Sequence, residues 1–91
     1  MVQVRHNQAA NRYEAEVGGK TAVAEYIRAG DVVTFTHTKV PGGLEGQGIA
    51  SNLIAGALAD LRGRGFKIVP ECPFVAAYLQ RHPELQDLVA K

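Results

Sequence analysis

The chain has 91 residues, 46% of them hydrophobic and 21% charged. That length suits one domain, spanning residues 1–91, with a single modest core, and the composition excludes a disordered chain. The formal net charge is +1, and the Lys and Arg residues are scattered along the sequence. Nucleic acid is therefore not expected as a partner, because it requires a concentrated positive surface.

Cysteine and histidine are too sparse for a disulfide or a metal centre. The single cysteine is Cys72, and His6, His37 and His82 show none of the spacings typical of metal ligands. No apolar run approaches the ~20 residues of a membrane span, and the N-terminal residues lack the apolar core of a signal peptide. We therefore expect a cytoplasmic protein with no metal and no membrane association.

Residues 2–40 alternate between apolar and polar side chains with the period of β-strands. Gly18-Gly19 fits a tight hairpin turn, since glycine adopts positive φ at little cost. Gly30-Asp31 marks a further turn. The predicted strands comprise residues 2–6, 12–17, 21–28 and 32–40. Together they predict an antiparallel meander of four strands.

After the break at Pro41-Gly42-Gly43 the pattern changes to a helical period. Residues 66–70 predict a fifth strand, parallel to the fourth because a helix connects the two. Pro73 suits the first turn of a second helix that runs to about residue 81, and residues 83–89 predict another short helix. The first helix begins after Gly48 and presents one apolar face: Ile49, Leu53, Ile54, Ala57, Leu58, Leu61.

The predicted order is β-β-β-β-α-β-α. This is an α/β (α+β) fold in which the helices cover a mostly antiparallel sheet.

A glycine-containing segment, Gly46-Gln47-Gly48, lies between the fourth strand and the first helix. Glycine leaves backbone amides uncovered, and the first amides of a helix favour an anion such as a phosphate. A plain strand-to-helix turn is the alternative. A Walker loop would need Gly-Lys-Ser/Thr where Gly48-Ile49-Ala50 stands, and a dinucleotide fingerprint would need glycine or alanine at Ser51.

Another phosphate motif fits this segment better. The chain resembles the small stand-alone N-acetyltransferases of the GNAT superfamily, whose loop reads Gln/Arg-x-x-Gly-x-Gly/Ala. Gly48 and Ala50 match the last two fixed positions, and Glu45 stands where Gln or Arg is usual. Further matching segments are His-Thr-x-Val-Pro from residue 37, Cys-Pro-Phe-Val-Ala-Ala-Tyr from residue 72, and Arg-His-Pro-Glu from residue 81. The resemblance implies a minimal GNAT-like fold with splayed fourth and fifth strands.

The resemblance also implies a function and a binding site. The function is transfer of an acetyl group from acetyl-CoA, bound as co-substrate, to an amine of unknown identity. The amides of Gly46, Gln47, Gly48, Ile49 and Ala50 would hold the pyrophosphate of coenzyme A. The backbone of Thr38, Lys39 and Val40 would bind the pantetheine arm. Arg62, Arg64 and Lys67 are typical of a solvated face, although one of the three is a candidate for contact with the 3′-phosphate.

Three residues are candidates for catalysis. Cys72 precedes Pro73 at a predicted helix N-terminus, where the dipole favours a thiolate that could accept the acetyl group; the alternative is an inert buried thiol. His37, expected on one face with Val33 and Phe35, is a candidate general base or a histidine packed on the sheet. Tyr78 would protonate the departing CoA thiolate, by resemblance, or belong to the core.

Two further readings remain open at this stage. The chain could be a non-catalytic module that binds acyl-CoA, or a structural domain without a ligand. We expect a monomer or a weak homodimer, since an edge strand of so small a sheet can pair with a second copy.

Overall fold

The computed structural model describes residues 3–43 and 48–90. The elements follow the predicted order, the short helix predicted at residues 83–89 is a 3-10 segment, and a second 3-10 segment precedes the second strand. None of the described helices is long and apolar enough to cross a membrane. The strands are β1 (Val4–Asn7), β2 (Arg12–Val17), β3 (Lys20–Ala29), β4 (Val32–Lys39) and β5 (Lys67–Pro70); the helices are α1 (Ile49–Gly63) and α2 (Pro73–Arg81); the 3-10 segments are Gln8–Ala10 and Pro83–Leu88.

The five strands form one sheet in sequence order, antiparallel from β1 to β4 and parallel between β4 and β5. The β4–β5 pairing ends at Phe35 and Pro70, although β4 continues to Lys39 alongside β3 alone. The two strands therefore separate at the end of β5, which confirms the predicted splay. At the outer edge of β5, Val89 forms a short parallel bridge with Ile68.

One face of the sheet, called here the covered face, packs against both helices. It carries Tyr13, Ala24, Phe35 and Ile68, and these side chains join the buried residues of α1 and α2 in a single core. Helix α1 lies very close to β1, because a Cβ added at Gly56 would stand 2.8 Å from Val4. Glycine at this position permits the close approach.

The opposite face, called here the open face, carries no described helix. Its residues include Arg12, Glu14, Val23 and Glu25, which lie opposite one another in the β2–β3 register. Ile27 is 62% exposed on this face, the one large apolar side chain so exposed among the described residues. The open face is therefore mainly charged, as expected for one side of an antiparallel sheet that faces water.

A β-bulge in β4 changes which side chains point to each face. Glu25 lies opposite His37, and the next residue, Tyr26, lies opposite Phe35, so Thr36 is the extra residue. Its hydroxyl donates to the carbonyl of Glu25 at 3.3 Å. Beyond the bulge, the register places Thr38 opposite Ala24 on the covered face and His37 on the open face. The prediction that His37 shares a face with Val33 and Phe35 is therefore wrong, because one extra residue reverses the alternation.

Candidate functional site

The N-terminus of α1 follows a glycine in the left-handed conformation. Gly48 has φ +76°, and its carbonyl accepts the first hydrogen bond of the helix from Asn52 at 3.0 Å. No side chain caps this end within the described part of the chain. Ile49 is buried in the core, which fixes the direction of the first turn. The predicted contacts at Gly46 and Gln47 lie outside the described residues.

A lysine from another element lies beside Gly42, which precedes the loop in the chain. Lys20 begins β3, and its ammonium group donates to the carbonyl of Gly42 at 2.8 Å. A Cβ added at Gly43 would stand 3.6 Å from the same ammonium nitrogen. We did not predict this cation from the sequence. The predicted hairpin at Gly18-Gly19 could have indicated the position of Lys20, because this turn places the start of β3 at the end of the sheet where β4 finishes.

The three cations suggested for the 3′-phosphate lie elsewhere. Arg62 pairs with Asp87 at 2.8 Å, and Arg64 pairs with Asp60 at 3.0 Å. Lys67 donates to the carbonyl of Asp87 at 2.7 Å. All three lie at the C-terminal end of α1 or just after it, about 22 Å from Gly48 by the rise of this 15-residue helix. The structure therefore does not bring them to the loop.

Cys72 occupies the N-cap of α2, with Pro73 in the first turn as predicted. Its backbone N–H donates to the carbonyl of Phe35 at 2.9 Å, at the position where β4 and β5 separate. Cys72 is 3% exposed, and its sulfur lies 3.3 Å from the hydroxyl oxygen of Thr38. The thiol is thus held on the covered face, between the free end of β4 and the start of α2.

His37 lies across the sheet from this thiol. Its side chain is 68% exposed, and its Nδ1 stands 3.9 Å from a carboxylate oxygen of Glu25. Lys39 approaches the same oxygen to 3.7 Å. The structure therefore brings Thr38, and not His37, to Cys72, while Lys39 joins His37 on the open face. Of the predicted pantetheine contacts, Val40 is half-buried and packs against the core.

Tyr78 lies on α2 and is 8% exposed. Its ring stacks on His82 with the centroids 4.2 Å apart. Its hydroxyl forms no hydrogen bond with any other described residue. The ring belongs to the core, and the proposed proton-donor role of the hydroxyl stays a prediction.

A polar cluster that sequence reasoning missed ties the C-terminal part of α1 to the sheet. Tyr13 donates to Asp60 at 2.7 Å, and its ring stacks on His6 at 4.1 Å. The Nε2 of His6 lies 2.6 Å from the hydroxyl of Tyr26. Burial and then the nearby Arg64 lower the pKa of His6, whereas burial and the bond to Asp60 raise the pKa of Tyr13.

A second unpredicted cluster lies on the open face around Glu14. Its carboxylate accepts hydrogen bonds from Arg5 at 2.6 Å, Arg12 at 2.7 Å and Asn7 at 3.0 Å. These bonds, that from Arg5 first, lower the pKa of Glu14 from 4.5 to about 2. Within the described ranges no group of three or more His, Cys, Asp or Glu side chains could hold a metal ion.

Comparison with known proteins decides the family. The family model described as GCN5-related N-acetyl-transferase matches residues 12–88, which include all the sheet except β1 together with both helices. The chain belongs to the GCN5-related N-acetyltransferase family. Transferase activity is the general activity of this family. No curated protein matches the sequence significantly.

A solved structure shows a similar fold. It is the NMR solution structure of a GCN5-like protein from Staphylococcus aureus, with a TM-score of 0.74 and 21% sequence identity. The similarity covers 97% of this chain and 87% of that one. The mixed sheet and its helices are thus those of a small GCN5-related N-acetyltransferase, as the sequence motifs predicted.

Proposed function

We propose that this chain transfers an acetyl group from acetyl-CoA to an amine, through the thiol of Cys72. The observation that carries the proposal is the position of that thiol. It lies at the N-terminus of α2, where β4 and β5 separate, and it hydrogen-bonds to Thr38. A thioester placed in the gap between the two strands would present its carbonyl carbon to the sulfur.

The start of α1 supports binding of the CoA pyrophosphate. Its first amides lack intrahelical partners and carry a partial positive charge, and Gly48 adds no side chain that would fill the approach. The ammonium group of Lys20 donates to Gly42, six residues before Gly48 in the chain, and adds a full positive charge there. We assign the phosphate contact to Lys20 and not to Arg62, Arg64 or Lys67.

The proposed reaction has two steps. The Cys72 thiolate attacks the thioester carbonyl, the bond between that carbon and the CoA sulfur breaks, and CoA leaves as a thiolate that takes a proton. A neutral amine then attacks the acetyl-cysteine, the amide forms, and the Cys72 thiolate is restored. The amine loses one proton in this step, and that proton passes to solvent, because the His37 imidazole lies on the opposite face of the sheet. Direct attack of the amine on acetyl-CoA gives the same products.

Mass spectrometry without an acceptor amine tests the covalent route. Incubation with acetyl-CoA should add one acetyl group to the wild-type chain and release one equivalent of free CoA thiol. Cys72→Ala should abolish both, while His37→Ala should form the adduct and transfer it to an amine at the wild-type rate, because His37 lies on the opposite face of the sheet. Full amine acetylation by Cys72→Ala would exclude the covalent route and leave direct attack.

A matched pair of lysine variants tests the loop. Lys20→Met should weaken acetyl-CoA binding about tenfold, because one charge-assisted contact to a phosphate is removed. Lys67→Met, at the far end of α1, serves as the control and should bind normally. Calorimetry measures both affinities, and equal weakening in the two variants would contradict the placement of the phosphates.

A non-catalytic module that binds acyl-CoA is the second candidate. The separation of the candidate catalytic groups favours it, because His37 and Cys72 lie on opposite faces of the sheet and Tyr78 is packed in the core. This candidate predicts heat of binding with acetyl-CoA but no acetyl adduct and no amine acetylation. Absence of binding at millimolar acetyl-CoA would exclude both candidates.

A further inference from the structure

We propose that the side-chain hydroxyl of Thr38 orients the Cys72 sulfur and stabilises its thiolate through a hydrogen bond. The inference rests on the proposed function, in which Cys72 receives the acetyl group. The family resemblance implicates only the backbone of Thr38. The hydroxyl-to-sulfur distance of 3.3 Å makes its side chain part of the same site.

The bulge at Thr36 decides which side chain meets the thiol. Uninterrupted alternation along β4 would turn His37 to the covered face, on the side of Cys72. The extra residue instead turns His37 to Glu25 on the open face and brings Thr38 to the covered face. The bulge therefore pairs Cys72 with a threonine and not with a histidine.

The hydrogen bond acts differently on the two charge states of the sulfur. A neutral thiol and a hydroxyl can each donate to the other, and the bond is weak. Once the sulfur is a thiolate, only the hydroxyl can donate, and a hydrogen bond to an ionised acceptor is stronger. The Thr38 hydroxyl therefore stabilises the Cys72 thiolate before it attacks the thioester. It stabilises the same thiolate again when the acetyl group passes from Cys72 to the amine.

Other charged groups near this position are directed elsewhere. Glu71 precedes Cys72 and is exposed to solvent. Lys39 and His37 both face Glu25 on the open face, so the sheet lies between them and the sulfur. No charged side chain of the described residues hydrogen-bonds to the thiol. Thr38 is thus the polar side chain through which the protein acts directly on this sulfur.

Both partners have fixed backbones, so the contact is well defined. Thr38 lies opposite Ala24 in the β3–β4 ladder, and the Cys72 amide is bonded to Phe35. Threonine is restricted at χ1 because it is β-branched, and this limits the positions of the hydroxyl. A hydroxyl held in this way orients the sulfur as well as stabilising its charge.

Alkylation kinetics without any CoA test the inference separately from the proposed function. The rate of reaction with iodoacetamide follows the thiolate fraction, so its pH profile reports the ionisation of Cys72. Thr38→Val keeps the shape and removes the hydroxyl, and it should lower the alkylation rate at pH 7 about tenfold, because the sulfur loses its hydrogen-bond donor. Thr38→Ser keeps the hydroxyl and should stay close to wild type.

Thr34→Val is the matched control, since the same change is made on the same strand but against Ile27 on the open face. It should leave the alkylation profile unchanged. Equal profiles for Thr38→Val and wild type, or a profile that moves in His37→Ala instead, would overturn the inference. So would a wild-type thiol that does not react at any pH.

The same variants separate this inference from the acetyltransferase proposal. Thr38→Val should lower the rate of acetyl-adduct formation about tenfold while acetyl-CoA affinity, measured by calorimetry, stays at the wild-type value. If wild type forms no adduct but the alkylation profile still moves in Thr38→Val, the proposed function fails and the role of Thr38 as a thiol-positioning residue stands.

Discussion

The covered face and the open face of the sheet are stabilised by different interactions. On the covered face, Phe35 and Ile68 are fully buried beneath the helices. Polar groups on this face, such as the Tyr13 hydroxyl and the Cys72 thiol, each form a hydrogen bond with another side chain. On the open face, cross-strand charges hold one another, with Glu14 beneath two arginines. Burial stabilises the first face, and ion pairs with partial exposure stabilise the second.

Along β4, neighbouring side chains therefore lie in different environments, one protected from solvent and the next exposed to it. The bulge in β4 assigns Thr38 to the covered face and His37 to the open face. The protected thiol and the solvent-facing imidazole can therefore be altered independently. The comparison also implies that equal substitutions on the two faces should have very unequal effects on stability.

The largest expected effect is for isoleucine truncation on the covered face. Ile68→Ala should lower the free energy of unfolding by about 3 kcal/mol, because Ile68 is fully buried and its loss leaves a cavity. Ile27→Ala on the open face should change it by less than about 0.5 kcal/mol, since that side chain is 62% exposed. Urea denaturation measures both. Similar losses in the two variants would mean that the open face is covered in solution.

A smaller effect is expected at the buried carboxylate of the open face. Glu14→Gln should cost about 1–2 kcal/mol at pH 7, after allowance for the exposure of Arg5 and Arg12. The folded pKa of Glu14 is depressed, so its stabilisation is present above pH 4.5 and is lost as the pH falls towards about 2.

Unfolding titrations of both proteins from pH 7 to pH 2 check the sign. The difference between wild type and Glu14→Gln should shrink on acidification. A difference that stays constant down to pH 2 would show that the carboxylate's charge contributes nothing.

Removing a single hydroxyl from the covered face should cost less. Tyr13→Phe should lower stability by about 1 kcal/mol, because it removes the bond to Asp60 while the partly exposed carboxylate keeps Arg64 and water as partners. Tyr26→Phe, which removes the partner of His6, is a companion variant on the same cluster. Thermal denaturation measures the stability of both variants. A loss above about 3 kcal/mol for Tyr13→Phe would show that the cluster acts as one cooperative network.

The smallest effect should come from His6. Its folded pKa lies below its ordinary value of 6.5, so the unfolded chain binds the proton more tightly and stability falls as the pH drops below 6.5. The loss stops once the pH passes the folded pKa. NMR titration of the His6 ring signals gives that pKa, and a value above 6.5 would reverse the sign.

Much of the fold could be predicted from local pattern. The bounds of α2 were predicted because Pro73 starts the helix and His82-Pro83 ends it. The hairpin was predicted from Gly18 and Gly19, which both have positive φ. Such features depend on single residues whose backbone preferences act wherever they stand.

The parts that were missed depend on pairing between distant segments. Thr36 lies in a segment rich in β-branched residues, and nothing local marks it as the bulge that separates His37 from Cys72. The burial of Glu14 likewise requires the β1–β2 register that places Arg5 opposite it. The position of Cys72 before α2 could be predicted, whereas its contact with Thr38 could not.

The link between Lys20 and Gly42 has a consequence for protein engineering. The Gly18-Gly19 turn is exposed and glycine-rich, which usually marks a tolerant place to insert a peptide or to open the chain for circular permutation. Here the next residue ties that turn to the segment before α1. An insertion there would displace the lysine and break its hydrogen bond to Gly42, so this exposed turn is less tolerant of insertion than its composition suggests.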